Sequence, residues 1–275
     1  MKIPFTKMSG AGNDFVVVDN RTKLITDPEN FSKSACHRHL GIGADGVLLV
    51  EQSDKADFTM KYYNADGTHG GMCGNGGRCI AKFAYDNKIV QKEKFSFSAL
   101  DYIYKSIRHA PELYEIEMKN PVDIRLNIDL LVKEEKFIVH YIDTGSPHCV
   151  LFLNKNHSLK DLEEIDVIQI GKSLRYHSKF SPKGTNVNFV QLIGDNKIKI
   201  RTYERGVEDE TLACGTGSIA SAVLSSLLYE YISPIGVKVK SGETLEISFK
   251  KIMEDIKEVK LKGSAKNIFV GEYEF

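Results

Sequence analysis

Residues 73–87 read CGNGGRCIAKFAYDN, and residues 214–231 read CGTGSIASAVLSSLLYEY. Each stretch opens Cys-Gly-x-Gly and passes directly into a segment of helical character. The first is read as a helix over Gly76–Asn87, and the second as a helix over Gly217–Tyr231 that stops ahead of Pro234. The two leading cysteines stand 141 residues apart, about half of the 275-residue chain. A second pair of segments repeats at similar distance: Gly10-Ala-Gly-Asn-Asp-Phe15 and Gly145-Ser-Pro-His-Cys-Val150 each form a glycine-led entry into a strand. Length alone leaves one large domain and two ordinary ones equally open. The repeated turn predicts two similar domains. The boundary is placed near Asn120-Pro121, where proline interrupts strand pairing. This gives an N-terminal domain over 1–121, completed by a C-terminal strand over 264–275, and a second domain over 122–263.

Outward from these turns, strand-like runs are frequent. Phe15–Asp19, Val47–Glu51, Phe58–Tyr63 and Leu113–Met118 lie in the first half. Phe137–Ile142, Cys149–Leu153, Asn188–Ile193, Lys197–Tyr203, Val237–Val239 and Leu245–Phe249 lie in the second. Shorter helices are read near Glu29–Leu40 and Leu159–Ile170, and the mixed charges of Lys250–Lys262 read as a solvated face. Many strands and few helices predict the α+β class.

Composition excludes several functions. Lys and Arg total 37 against 37 Asp and Glu, for a formal net charge of zero. Binding to a phosphate backbone needs a basic surplus, so nucleic acid is not the expected partner. Five cysteines, an odd number, exclude a fully paired disulfide framework, and no Cys-x-x-Cys spacing indicates a zinc site. The N-terminus, MKIPFTKMSGAGND, lacks the apolar core of a secretory signal. Thr211–Tyr229 is uncharged, but its strongly apolar part runs only from Ile219 to Leu228, too short for a membrane span. A soluble cytoplasmic protein with reduced thiols is the expectation. Gly41-Ile-Gly-Ala-Asp-Gly46 matches G-x-G-x-x-G, yet a strand follows it where a dinucleotide site needs a helix, so that reading is rejected.

Chemistry points to Cys73 and Cys214. A thiol at a helix N-terminus sits near the positive end of the macrodipole and near unpaired N–H groups, which favours the thiolate. Flanking glycines let a substrate approach the backbone, and the N–H groups suit a carboxylate. Two such thiols fit stereoinversion, in which one base removes an α-proton and a second delivers a proton to the opposite face. Helix N-termini aimed at the α-carboxylate would stabilise the charge that develops. No lysine motif for pyridoxal phosphate is evident, so no cofactor is invoked. Cys79, Cys36 and Cys149 read as structural. Asn13, Asn64, His148, Asn186, Glu204 and Arg205 cluster in sequence around these turns and are candidate polar contacts.

Six segments carry a resemblance: KMSGAGNDFVVVD (7–19), GIGADGVLLVE (41–51), YYNADGTHGGMCGNGGRC (62–79), DTGSPHCV (143–150), GTNVNFV (184–190) and YERGVEDETLACGTGS (203–218). In this order they closely resemble the diaminopimelate epimerase family. The resemblance implies a cofactor-independent enzyme that interconverts LL- and meso-diaminopimelate for lysine and peptidoglycan synthesis, commonly as a homodimer. It implies two pseudo-symmetric domains, each a mixed sheet around a central helix. Cys73 and Cys214 map to the proton donor and acceptor, with His148 and Glu204 flanking them. Gly74, Asn75, Gly215 and Thr216 map to the α-carboxylate site. Asn13, Asn64, Asn186, Glu204 and Arg205 map to the distal amino-acid head group, where the forked guanidinium of Arg205 suits a carboxylate.

The chain departs from the pattern at three places. Ser146 stands where asparagine is common. The stretch from Arg205 to Cys214 is one residue longer and carries Glu208-Asp209-Glu210. His69-Gly70-Gly71 stands where an acidic residue is common. The alternatives are a proline or hydroxyproline racemase-like enzyme, a phenazine-biosynthesis-like isomerase, and, in a different class, a thiol redox or metal-binding protein using Cys73, Cys214 and His148.

Overall fold

The computed structural model describes residues 1–132, 134–156 and 158–275. The chain divides into two compact units, Met1–Glu117 with Lys262–Phe275, and Met118–Leu261.

The first unit contains β1 (Lys2–Gly10), β2 (Asn13–Asp19), helix α1 (Pro28–Cys36), β3 (Gly46–Glu51), β4 (Phe58–Asn64), helix α2 (Gly74–Asp86), β5 (Lys94–Ala99), β6 (Tyr102–Ala110) and β7 (Leu113–Glu117). Pairing is antiparallel for β1–β2, parallel for β2–β3, antiparallel for β3–β4, parallel for β4–β5 and antiparallel for β5–β6 and β6–β7. Each parallel pair encloses a helix, as a crossover connection requires. The second unit contains β8 (Val122–Val132), β9 (Glu135–Asp143), β10 (Pro147–Phe152), helix α3 (Val167–Arg175), β11 (Asn186–Leu192), β12 (Lys197–Glu204), β13 (Asp209–Thr211), helix α4 (Gly215–Tyr229), β14 (Ile235–Lys238) and β15 (Thr244–Ile252). Its order of pairing repeats the first: β9–β10 antiparallel, β10–β11 parallel, β11–β12 antiparallel, β12–β14 parallel and β14–β15 antiparallel. The chain then runs through β16 (Asp255–Ser264) into β17 (Lys266–Glu274), which pairs antiparallel with β1.

The central strands are buried on both faces, which explains their unbroken apolar runs. Val16, Val18, Val47 and Leu49 belong to the cluster under α1 with Phe31 and Ala35. The alternate residues point to the other face, against α2, which packs on β1, β2, β3, β4, β6 and β7. In the second unit Cys149, Leu151, Val187 and Phe189 join the cluster with Leu174 of α3. The alternate residues point to α4, which packs on β9, β10, β11, β12, β14 and β15. A mixed sheet wrapped around a buried central helix is therefore present in each unit, and the α+β class is as expected. No helix among the described residues is long and apolar enough to cross a membrane; α4 is 15 residues long and is buried over most of its length.

Three local readings are corrected. The helix expected over Glu29–Leu40 ends at Cys36, because the Gly43 and Ala44 N–H groups take the carbonyls of Ala35 and Cys36 at 2.9 and 3.2 Å. Gly41 lies against that end, where a Cβ would stand 2.1 Å from the Ser34 carbonyl oxygen. The Gly41–Gly46 segment is thus the stop of α1. The helix expected over Leu159–Ile170 begins only at Val167, with Asp166 accepting from the Gln169 N–H at 2.9 Å, and continues to Arg175. Lys250–Lys262 is not simply a solvated face: it holds the end of β15 and most of β16, which buries Ile256, Val259 and Leu261.

Candidate active site

Cys73 and Cys214 are the N-cap residues of α2 and α4, with nearly equal dihedrals: φ −104° and ψ 119° at Cys73, φ −115° and ψ 111° at Cys214. The Gly76 N–H donates to Cys73 Sγ at 3.5 Å, and the Gly217 N–H donates to Cys214 Sγ at 3.4 Å. Both helices start two residues earlier than expected, so Gly74-Asn75 and Gly215-Thr216 form their first turns. There the N–H groups precede the intrahelical ladder, whose first bonds run from Gly77 to Cys73 and from Ser218 to Cys214. Each sulfur lies at the positive end of a helix dipole, where negative charge is favoured.

Around Cys73 the partners are ionic at one remove. Its S–H donates to Asn13 Oδ1 at 3.5 Å, and Asn13 Nδ2 donates to Asp45 Oδ2 at 2.6 Å. Asp45 also meets Arg38 at 2.6 Å, and Asp14 meets Lys7 at 2.7 Å. Burial and the charge of Asp14 raise the Asp45 carboxyl above its usual range. Burial also acts to raise Asp14, but the hydrogen bond and charge of Lys7 hold it below its usual range. Asn75 is buried, with Oδ1 accepting from the Arg78 guanidinium at 2.9 Å. Arg78 is itself fully buried and also donates to the carbonyls of Gly74 and Ser264. Asn64 closes its own turn, donating from Nδ2 to Thr68 Oγ1 at 2.9 Å and from its backbone N–H to the Thr68 carbonyl at 2.9 Å.

The side chains linked to Cys214 through Thr216 are neutral. Thr216 Oγ1 lies 3.5 Å from Cys214 Sγ and accepts from Ser146 Oγ at 3.1 Å. Ser146 Oγ lies 3.0 Å from His148 Nε2, and Asn188 Nδ2 lies 3.0 Å from His148 Nδ1. Asn188 also donates to the Cys149 carbonyl and accepts from the Thr202 hydroxyl. His148 is fully buried, and burial with the nearby charge of Arg205 pushes its pKa down to about 3. Asn186 donates to the Pro147 carbonyl at 2.9 Å and accepts the Arg205 backbone N–H at 2.9 Å. Glu204, at the end of β12, accepts from Thr211 Oγ1 at 2.8 Å.

Of the expected residues, Asn13 meets Cys73 directly. Thr216 meets Cys214, and His148, Asn186 and Arg205 join through Ser146. The longer stretch after Arg205 is the β12–β13 hairpin. Glu208 pairs with Arg175 at 3.1 Å and Glu210 with Arg201 at 2.6 Å, so the added acids fasten this hairpin to its unit. In the third departure, Gly70 lies where a Cβ would stand 2.2 Å from the Tyr62 ring, and His69 packs edge-on against Tyr63. Sequence reasoning passed over Asp45, Asn188 and Thr202. Asn188 carried a usable signal, because two residues beyond Asn186 on a strand lies the same face. Burial pushes the Cys36 thiol up to about 11 and the Cys149 thiol up as well, as inert structural cysteines require. Among the described residues no group of three or more His, Cys, Asp or Glu side chains is placed to hold a metal ion.

Comparisons with known proteins bear on the fold and the family. The fold resembles that of a Bacillus anthracis phenazine biosynthesis protein of the PhzF family, with a TM-score of 0.76 at 12% identity over 100% of both chains. It also resembles a probable proline racemase from Agrobacterium radiobacter K84, with a TM-score of 0.75 at 12% identity over 98% of this chain and 92% of the other. At such identities only the fold is shared. In sequence, the chain is 42% identical to the diaminopimelate epimerase of Chlorobaculum tepidum over 266 residues, covering 96% of this chain and 98% of that protein. The family model described as diaminopimelate epimerase matches residues 5–105 and 140–267, a span that includes both cysteine turns and their polar neighbours. The chain belongs to the diaminopimelate epimerase family.

Proposed function

We propose that this protein interconverts LL- and meso-2,6-diaminopimelate by proton transfer between the substrate α-carbon and two thiols, Cys73 and Cys214. The observation that carries the reading is the matched pair of N-cap cysteines. In each direction one thiolate takes the α-proton, and the other thiol returns a proton to the opposite face. The α-carbon acid is very weak, so the reaction depends on stabilising the charge that develops beside the α-carboxylate. The first-turn N–H groups at Gly74, Asn75, Gly215 and Thr216 are suited to that, because donors preorganised for a developing anion need no reorganisation during the step.

The distal head group, which keeps its configuration, is assigned to Asn13, Asn64, Asn186, Glu204 and Arg205. Asn186 supports this assignment by holding the Arg205 backbone. His148, neutral and bonded at both ring nitrogens, is assigned to orienting the Cys214 side. The reaction needs no cofactor. The zero formal charge suits a small doubly zwitterionic substrate and offers no basic surplus for nucleic acid. We infer a cytoplasmic role in lysine and peptidoglycan precursor synthesis. We also infer a homodimer, supported by an exposed apolar run on β17 in which Ile268 and Val270 are 55% and 74% exposed.

The test is the thiol pair. Cys73→Ala and Cys214→Ala should each lower epimerisation of diaminopimelate by at least about 10²–10⁴-fold, the usual contribution of a positioned acid or base. Normal turnover in either variant would overturn the two-thiol reading.

A further inference from the structure

We propose that Glu208 is a positioning residue: by closing the turn that carries Arg205 it fixes the reach of that guanidinium, and with it the grip on the distal carboxylate of the substrate. The inference deepens the assignment of Arg205 to the distal head group and rests on it.

Arg205 follows the last residue of β12, and its backbone is held from two directions. Its own N–H donates to Asn186 Oδ1 at 2.9 Å. The next N–H, that of Gly206, donates to Glu208 Oε1 at 3.0 Å. The Glu208 N–H closes the turn on the Glu204 carbonyl at 2.8 Å. Tyr203, buried on β12, adds its hydroxyl to Glu208 Oε2 at 3.3 Å.

Arg175, the last residue of α3, anchors this turn to the body of its unit. It donates to Glu208 Oε1 from Nε at 3.2 Å and from Nη2 at 3.1 Å, and its Nη1 donates to the Lys183 carbonyl at 3.2 Å. The guanidinium crosses Gly184 so closely that a Cβ there would stand 1.8 Å from Nη1. Gly184 lies two residues ahead of Asn186. One mostly buried guanidinium therefore orders both segments that hold the Arg205 backbone. The Glu208 carboxylate is spent on Arg175, so it steers Arg205 through the backbone without neutralising it. Burial acts to raise the Glu208 carboxyl, but the Gly206 N–H, Tyr176 and Arg175 hold it below its usual range.

The backbone of Glu208 supports the same conclusion. It adopts φ 58°, in the left-handed region that glycine enters without steric cost and other residues enter rarely. Such a residue persists where its surroundings over-determine it. Here the donors on its carboxylate do so: the Gly206 N–H, two N–H groups of Arg175 and the Tyr203 hydroxyl. Glu208 also lies in the stretch where the chain is one residue longer than the family pattern, and a longer turn costs more to order. Fastening it in the free enzyme removes that cost from substrate binding.

The experiment is steady-state epimerisation of diaminopimelate by the full-length protein, with thermal melts of each variant. Glycine accepts the backbone of this position, so Glu208→Gly should fold with a Tm near that of the wild type. Its KM should rise about three- to tenfold, the cost of ordering one free side chain on binding. Its kcat should change by less than about twofold, because a grip on the distal head group is shared by substrate and transition state. Glu208→Gln, which keeps an acceptor for the Gly206 N–H, should recover part of the loss. In the Arg205→Lys protein the same Glu208→Gly change should add less than about twofold to KM, since residues acting as one unit are not additive. A KM rise there as large as in the wild-type background would overturn the inference. So would a fall in kcat with KM unmoved, the mark of a merely structural role. A raised KM in Arg205→Lys beside a wild-type KM in Glu208→Gly removes the inference and keeps the distal assignment. A wild-type KM in Arg205→Lys removes that assignment and the inference with it.

Discussion

The turns at Cys73 and Cys214 share a backbone and differ in the side chains linked to them. Both are N-caps with similar dihedrals, both receive an N–H on sulfur from the glycine three residues on, and both open a helix that crosses between parallel strands. Around Cys73 the supporting groups are ionised: Asp14, Asp45, Lys7 and Arg38. The groups linked to Cys214 through Thr216 are neutral: Ser146, His148, Asn188 and Thr202. The central helices diverge likewise. α2 buries Arg78, whereas α4 buries Ser218, Ser221 and Ser225. A duplicated backbone supplies two equivalent thiol positions, and each is given different side-chain neighbours.

The largest difference expected between the halves lies at two equivalent glycines. A Cβ at Gly217 would stand 2.3 Å from Asn188 Oδ1, whereas a Cβ at Gly76 would stand 3.3 Å from Leu48 Cδ2, a flexible side-chain end. Gly217→Ala should therefore destabilise by about 1–3 kcal/mol, the usual cost of overpacking, and lower kcat by displacing the Asn188–His148 support. Gly76→Ala, where the gain in helix propensity of about 1 kcal/mol offsets the tight contact, should stay near wild type. Denaturant melts of both variants check this, and equal losses would mean that the two turns are packed alike.

A smaller effect is expected at Arg205. Arg205→Lys should raise KM for diaminopimelate with kcat less affected, because an ammonium cannot reproduce a bidentate grip on the distal carboxylate. An unchanged KM would free Arg205 from that role and leave the second unit without its assigned cation.

The buried histidines add a dependence of stability on pH. Burial with the charge of Arg205 lowers the His148 pKa to about 3, and burial with the charge of Lys155 lowers His140 to about 4. Both belong to the second unit. The unfolded chain protonates each near 6.5, so below that pH it binds more protons than the folded one, and stability falls as pH falls. The loss begins near pH 6.5 and continues down to about 4 and then 3, with a limiting slope of about 1.4 kcal/mol per pH unit per histidine. Thermal melts from pH 7 to pH 5 should show a falling Tm, and His148→Gln should flatten the fall. A Tm independent of pH over this range would contradict the neutral, buried assignment.

Much of this was legible where burial is complete. The runs Phe15–Val18, Val47–Val50 and Cys149–Phe152 are buried on both faces, and their unbroken apolar character marks them as strands. The two cysteine turns were legible because each copy made the other improbable as an accident of packing. β16 was hidden by its own geometry: Glu258 adopts φ 53°, which breaks the alternation and leaves Ile256, Val259 and Leu261 at uneven spacing. β8 was hidden similarly, with φ 51° at Asp123, φ 52° at Asn127 and register shifts against β9. Asp45 was unreadable, because in Gly-Ala-Asp-Gly an aspartate signals a turn. Only the parallel pairing of β2 with β3 brings it to Asn13. Ser146 stands where asparagine is common, and in the fold its hydroxyl joins His148 to Thr216.

The most direct test of the central claim is solvent hydrogen exchange. Incubated in D₂O with LL- or meso-diaminopimelate, the wild-type protein should introduce one deuterium per turnover, at the α-carbon that is inverted. Absence of exchange with both isomers would contradict the account.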